Sequence, residues 1–384
     1  MKNKLIIISP YPKKYTYSHR SSALASFNKN LVDKLKSKLD IVILSDNKNK
    51  KDNAIKIWSK NDFFNYFKLV RTINSYKNIQ NILIQFEWGV FGKNIFFVMT
   101  FPFFLLVLKI LGKKISVVLH GVNFDFQPIY GFGLKTNLLN IGSYSFYTFC
   151  LLLTNKIIVT EDYFKRKLTK LPFADNKIIF IPHGVDAIFK KQNKNNFEKL
   201  QLGYFGFLHP YKGPRLLLDL FNLVSHNNYS LSFLGGESPN LLKNQDYQIY
   251  LKNFYLTAKK RGIKITGFIE QNMLIKYFRD VDLVVFPYPC FISSSGMLAM
   301  TFSFEKPFIL SRPLEGYFDS FDFQEALKET GLNKENFIFD FNKESLEKRL
   351  SWAKNNLDKL ANFSRIMKEK RDWKTVAKQY EKLF

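Results

Sequence analysis

Short, uninterrupted apolar runs, each ending in a polar or glycine corner and each followed by a helical stretch, set the tightest limit on what this chain can fold into. Lys4 to Ser9, Asp40 to Ser45, Asn81 to Phe86, Lys114 to Leu119, Lys156 to Thr160 and Lys177 to Ile181 show no alternation of polar and apolar residues in their centres. Strands of this kind are buried on both faces, the state of a parallel sheet covered by helices. The second half repeats the pattern at Leu202 to Phe205, Ser230 to Leu234, Lys264 to Thr266, Leu283 to Pro287 and Pro307 to Leu310, with a last short strand within Phe337 to Phe341. The expected fold is therefore α/β, two Rossmann-like domains in series. With 384 residues, 46% of them apolar, the chain has enough core for both.

The polar stretch Asp186 to Lys199 has no apolar periodicity and reads as the joint. The expected boundaries are a first domain over 1–188, a linker over 189–199, a second domain over 200–362, and a closing helix over 363–384.

One corner dominates the second half. After the strand ending at Phe205 come Gly206-Phe207-Leu208-His209-Pro210-Tyr211-Lys212-Gly213, then the helical run Leu216 to Leu223. Backbone N–H groups and the Lys212 ammonium converge where that strand stops, a place for phosphate. About eighty residues on, Ser293-Ser294-Ser295-Gly296 follows another strand and opens a helix over Met297 to Phe304. Ser294, Ser295 and Gly296 offer hydroxyls and helix-terminal N–H groups to the same phosphates, although serine is also an ordinary helix cap. In the first half, strand ends carry Glu87-Trp88-Gly89, His120-Gly121 and His183-Gly184-Val185-Asp186. Glu87 fits either an acceptor-binding group or base, or a lysine's ion-pair partner.

The formal charge is +26, from 58 basic and 32 acidic residues. It is compatible with phosphorylated substrates, an anionic membrane surface or a polyanion. Lysine is spread through loops such as Asn47 to Asn53, however, and no nucleic-acid recognition motif accompanies it, so no nucleic-acid partner is expected. Cys150 and Cys290 lie in apolar sequence without metal-type spacing, which predicts buried thiols in a reducing compartment. Leu5 to Ser9 is too short for a signal peptide. Ile95 to Leu111, interrupted by Thr100, Pro102 and Lys109, falls short of the roughly 20 residues of a membrane span and reads as a buried or surface-docked helix. The expected location is cytoplasmic. A peripheral place at the inner face of the membrane is the alternative to a freely soluble enzyme.

The ordered set of motifs resembles glycosyltransferase family 4, the large retaining group with the glycosyltransferase-B fold. It runs through Glu87-Trp88-Gly89, His120-Gly121, His183-Gly184-Val185-Asp186, Phe205-Gly206-Phe207 with Lys212-Gly213, Thr266-Gly267-Phe268, Asp282 to Tyr288, Ser295-Gly296 with Lys306-Pro307, and Trp373. The resemblance implies two domains facing across a cleft, a nucleotide-diphosphate sugar bound mostly by the second, and a glycan, lipid-linked or small acceptor bound mostly by the first. Polysaccharide or glycoconjugate synthesis would be the setting. It assigns catalytic roles to His120, Glu87 and Lys212, donor binding to Gly206, Lys212, Gly213, Ser294, Ser295 and Gly296, and a hinge role to His183, Gly184, Asp186 and Trp373. No cofactor or metal is expected. Asp280-Val281-Asp282 looks like a manganese motif of another fold, but Asp282 opens a buried strand.

Three positions depart from the pattern. Phe207 stands where many members carry an arginine, and Ser293 and Thr301 stand where many carry paired glutamates. The run Ser293 to Gly296 resembles the subset with Ser-x-Ser-Gly at that place. Two other classes share the architecture, a sugar-nucleotide epimerase and a non-catalytic binding or scaffold protein derived from the fold.

Overall fold

A computed structural model describes residues 2–13, 23–92, 94–186, 198–224, 227–239 and 241–384. The polar loop after Lys13, the start of the first helix at Ser21 and nearly all of the 189–199 linker lie outside the described residues.

The chain forms two compact units, one of Met1–Gly184, Ile292–Ser294 and Trp373–Phe384, the other of Val185–Phe291 and Ser295–Asp372. In the first, the described strands are β1 (Lys4–Ile8), β2 (Asp40–Ser45), β3 (Ala54–Lys56), β4 (Asn81–Phe86), β5 (Lys114–Leu119), β6 (Lys156–Val159) and β7 (Ile178–Phe180). They lie in the order β3-β2-β1-β4-β5-β6-β7, every pair parallel. The second unit has β8 (Leu200–Phe205), β9 (Tyr229–Leu234), β10 (Lys264–Ile265), β11 (Leu283–Phe286), β12 (Phe308–Ser311) and β13 (Ile338–Phe339). Their order is β10-β9-β8-β11-β12-β13, again all parallel.

The central strands are solid hydrocarbon. Leu5 to Ile8, Ile82 to Ile84, Val117 to Leu119 and Leu283 to Val285 are wholly buried, as their unbroken apolar sequence requires. β3 was not anticipated. It has three residues and only Ala54 buried, too little pattern to detect.

Two helices expected as single elements are broken. The segment 363–384 is the end of one helix, Leu357–Lys370, and then a second, Trp373–Glu381. Between them Arg371 is buried against Asp322, and its carbonyl accepts from Val185 N at 2.7 Å, which fixes the turn within the second unit. Trp373–Glu381 belongs to the first unit, where Trp373, Val376 and Tyr380 join a core shared with Leu5, Phe27, Leu31 and Leu83. Likewise Ile95 to Leu111 divides into Ile95–Met99 and Phe101–Ile110. The break falls at Thr100, whose hydroxyl donates to Phe96 O at 2.6 Å, with Pro102 in the first turn that follows. The first unit's longer body ends at Gly184 rather than 188, and Asp186 falls with the second unit.

Candidate functional site

Strand order decides where a sheet of this type can hold a ligand. In the second unit the chain proceeds outward from β8 to β9 and β10, then returns to lay β11 on the other side of β8. That reversal parts the loops after β8 and β11 and opens a crevice at their carboxyl ends. Both corners singled out in the sequence follow these two strands.

The first corner passes from Gly206 to a 3-10 turn, Pro210–Lys212, and into the helix Pro214–Phe221. His209 caps the turn, its ring nitrogen accepting from Tyr211 N at 3.4 Å. Burial, with Lys212 nearby, pushes that imidazole down to about 4, so it is neutral. Gly213 joins turn to helix with φ +66°, and a Cβ there would stand 1.8 Å from Pro287 O. Only glycine suits so close an approach to the loop after β11. Pro214 takes the first helical position, where a missing N–H costs little.

The second corner is the amino terminus of the helix Gly296–Ser303. Ser295 is its cap, with Oγ accepting from Leu298 N at 3.2 Å, while its own N–H donates to Tyr317 Oη at 3.0 Å. Gly296 has nothing within 4 Å of where a side chain would begin.

These corners converge. A Cβ on Gly206 would be 3.6 Å from Lys212 Nζ and 3.6 Å from Met297 Cγ. Tyr288, just past β11, bridges them: its ring centroid is 5.8 Å from Lys212 Nζ and its hydroxyl 3.4 Å from Ser295 Oγ. Sequence reading did not single out Tyr288, because its place depends on β11 lying beside β8. Gly206, Lys212, Gly213, Ser295 and Gly296 are thus brought together at one strand-end crevice with a cation and a helix amino terminus.

Ser294 differs from its neighbour Ser295 in the unit it belongs to. It belongs to the first unit, where its N–H and hydroxyl both donate to His120 O, at 3.1 and 3.2 Å, and its Oγ lies 2.5 Å from Thr160 Oγ1.

The departures from the family pattern also have structural form. Phe207 stacks on Phe268 at 6.4 Å, an apolar pair in place of the arginine of the pattern. Thr301 is fully buried and its hydroxyl donates back to Met297 O at 2.8 Å, while Ser293 forms an antiparallel bridge with Gly121. Neither Ser293 nor Thr301 supplies a carboxylate.

In the first unit the corresponding reversal lies between β1 and β4. Glu87 follows β4 and is exposed, beside a half-buried turn closed by Val90 N donating to Glu87 O at 3.0 Å. His120 follows β5, one strand further, and is buried, its Nε2 2.7 Å from Gln85 Oε1. Desolvation, with a contribution from His183, pushes its imidazole down to about 3, so it is a neutral polar group rather than an acid. Phe27 packs edge-on against it, centroids 4.7 Å apart. Gln85 is the partner that sequence reading missed; it lies inside an apolar strand and its other amide atom, Nε2, is buried with no partner among the described residues.

His183 lies at the end of the first unit's main segment. Its Nδ1 is 2.8 Å from Gly184 O, and its ring stands 5.0 Å from Phe27 and 5.9 Å from Trp373. Asp186 is half-buried in the second unit. His183 follows β7 and shares Phe27 with His120, while Gly184 and Asp186 lie where one unit ends and the other begins.

Asp282 Oδ2 accepts from Gln201 N at 2.9 Å and so ties β11 to β8, while Asp280 caps a helix end beside Arg279. Among the described residues no group of three histidine, cysteine, aspartate or glutamate side chains is placed to hold a metal.

No family model and no curated protein matches the chain by sequence. Solved structures do match it in shape over its whole length. The sucrose-phosphate synthase of Thermosynechococcus elongatus superposes with TM-score 0.72 at 12% identity, covering 100% of this chain and 98% of that one. Anabaena HepE in complex with UDP gives 0.66 at 13% identity, covering 99% of each. The catalytic domain of starch synthase IV from Arabidopsis thaliana, bound to ADP and acarbose, gives 0.60 at 12% identity, covering 100% of this chain and 98% of that one. Together with the two parallel sheets, these likenesses identify the glycosyltransferase-B fold.

Proposed function

We propose that the chain is a retaining glycosyltransferase of the family 4 type, moving a sugar from a nucleotide-diphosphate donor to a glycan, lipid-linked or small acceptor, without a metal cofactor. The observation that carries this reading is the convergence of Lys212, Gly206 and the Gly296–Ser303 amino terminus beside Tyr288 at the reversal of the second sheet. That HepE was crystallised with UDP and with UDP-glucose supports it.

In this reading the anomeric carbon–oxygen bond to the diphosphate breaks as the acceptor oxygen bonds to the same carbon on the same face. The acceptor proton passes to the leaving phosphate oxygen. Negative charge grows on the diphosphate, where Lys212 and the helix N–H groups stabilise it. His120, held neutral, offers a hydrogen bond to a sugar hydroxyl rather than a proton, and Glu87 serves acceptor hydroxyls. We assign this chemistry to polysaccharide or glycoconjugate synthesis in the cytoplasm; Cys150 and Cys290, buried and without a disulfide, are compatible with that compartment.

Thermal stabilisation against UDP, GDP, ADP and CMP and their sugar conjugates, with and without Lys212→Ala, tests the reading. A ligand at about 100 times its Kd adds roughly 2.7 kcal/mol. The expected result is a selective shift that the variant loses, followed by acceptor-dependent release of the nucleotide with the anomeric configuration retained. No shift with any donor would sink it in favour of a non-catalytic protein, and donor conversion without an acceptor would favour an epimerase.

A further inference from the structure

Apart from Lys109, the helix Phe101–Ile110 is apolar all round, yet only half of it is covered. Phe101, Phe104, Leu105 and Leu108 are buried in the first unit, whereas Phe103 is 69% exposed and Ile110 75%, with Leu106 and Val107 exposed between them. A surface helix of a water-soluble domain carries polar residues on that side.

The exposed face does not stop there. The neighbouring helix Leu134–Leu153 packs against Phe101–Ile110 and turns out a stripe of its own, Leu134, Leu138, Ile141 and Leu152, at helical spacing. On the other side, Phe63 is exposed and meets Phe96 of Ile95–Met99 edge-on at 5.1 Å, with Phe64 and Phe67 exposed beside it in the chain. Four adjoining segments therefore share one apolar exterior, larger in extent than scattered surface hydrophobes.

Charge says what covers it. From Trp88 to Leu153 the sequence holds one acidic residue, Asp125, against Lys93, Lys109, Lys114 and Lys135, leaving aside Lys113, which is buried and donates to Tyr76 O and Ile79 O. Lys109 reaches from the middle of the face to Leu152 O at 3.0 Å, so its cation sits among the apolar residues. We propose that this face of the first unit docks on an anionic lipid bilayer, its apolar residues entering the headgroup boundary and its lysines meeting lipid phosphates. The inference goes beyond the transfer reaction and stands without it. A second copy of the chain is a poorer occupant, because two-fold pairing would bring lysines of like charge together. Spanning is also excluded for the described helices, none of which is long and apolar enough to cross a membrane. An in-plane position suits a short helix with basic flanks.

Co-sedimentation of the full chain with phosphatidylglycerol-containing vesicles, and with pure phosphatidylcholine vesicles, tests the docking. Pelleting with the anionic vesicles is expected, weakened at about 1 M salt, where screening shortens to about 3 Å. Phe103→Gln with Ile110→Gln should weaken it by about tenfold or more, whereas Ile249→Gln, exposed on the second unit, should not. If the α-helical double variant melts early, Leu138→Gln with Ile141→Gln supplies the same readout from the adjoining helix. Protein that stays in solution with both vesicles overturns the proposal, as do folded variants that pellet like the parent. A dimer in light scattering that Phe103→Gln with Ile110→Gln dissolves would also overturn it, showing a second copy as the occupant.

Discussion

Lys212 and Tyr288 come from corners on two different strands, yet the ammonium stands 5.8 Å from the centre of the tyrosine ring. In the proposed reading the aromatic face holds the cation in place for the donor's phosphates, and preorganisation is what makes such a charge effective. Lys212→Ala is expected to lower turnover by about 10²–10³-fold. Tyr288→Leu keeps the lysine but frees it, so nucleotide affinity measured by calorimetry should fall while the fold survives. Equal affinity in Tyr288→Leu would remove the tyrosine from this role.

Gly184 lies against Trp373, and a Cβ there would be 2.3 Å from the indole. Gly184→Ala must displace a side chain that is 3% exposed in the core of the first unit. Denaturant unfolding should show a loss of about 1–3 kcal/mol for Gly184→Ala and about 3–5 kcal/mol for Trp373→Ala. A neutral Gly184→Ala would mean the tryptophan packs elsewhere in solution.

Arg371 is 2% exposed and pairs with Asp322, Nε to Oδ2 2.6 Å, over the face of Phe323. Burial opposes ionisation of Asp322, but the guanidinium and the Ser320 hydroxyl outweigh it and hold the carboxyl below its ordinary range. Asp322→Ala strands a buried cation, for which about 3–5 kcal/mol is expected. Adding Arg371→Met should recover much of that loss, and a double variant as unstable as the single one would contradict the account.

His120 gives stability a pH dependence. Its imidazole is held near 3 in the fold, mainly by burial, against an ordinary value of 6.5. Between those values the unfolded chain takes up a proton that the folded chain refuses, so stability falls as pH drops through that window. Thermal melts of the parent and of His120→Gln, compared from pH 7 to pH 4, should converge on acidification. Parallel curves would show that His120 is not protected from protonation. His209 titrates in the same direction in the second unit, and the pairwise comparison cancels it.

The sequence made the sheets readable because parallel strands buried on both faces must be continuously apolar, and Asn81–Phe86 and Lys114–Leu119 run to the residue expected. The corner at Lys212 was readable for a related reason: glycine, lysine and helix start follow one another within a few positions. Tyr288 was not, since its meaning comes from β11 lying next to β8, a pairing across some eighty residues that no local pattern records. Ser294 and Ser295 show the same limit at closer range. Adjacent and chemically alike, they part company because one amide turns to His120 O and the other to Tyr317. The helix break at Arg371 was hidden too, since arginine is tolerated inside helices and only its tertiary partner Asp322 reveals the turn, whereas the interruption at Thr100 was announced by Pro102.

The first unit gathers its core from both ends of the chain, with Trp373, Val376 and Tyr380 closing over Phe27 and Leu31. On the ribosome those closing residues emerge long after Gly184, roughly 190 residues and about 10–40 s later at ~5–20 residues per second. Through that interval the nascent first half lacks the cover that Trp373, Val376 and Tyr380 give to this core while the second half is still being made. A chaperone that shields the Ala23–Leu35 helix during synthesis would therefore bear on yield without touching the finished protein's stability.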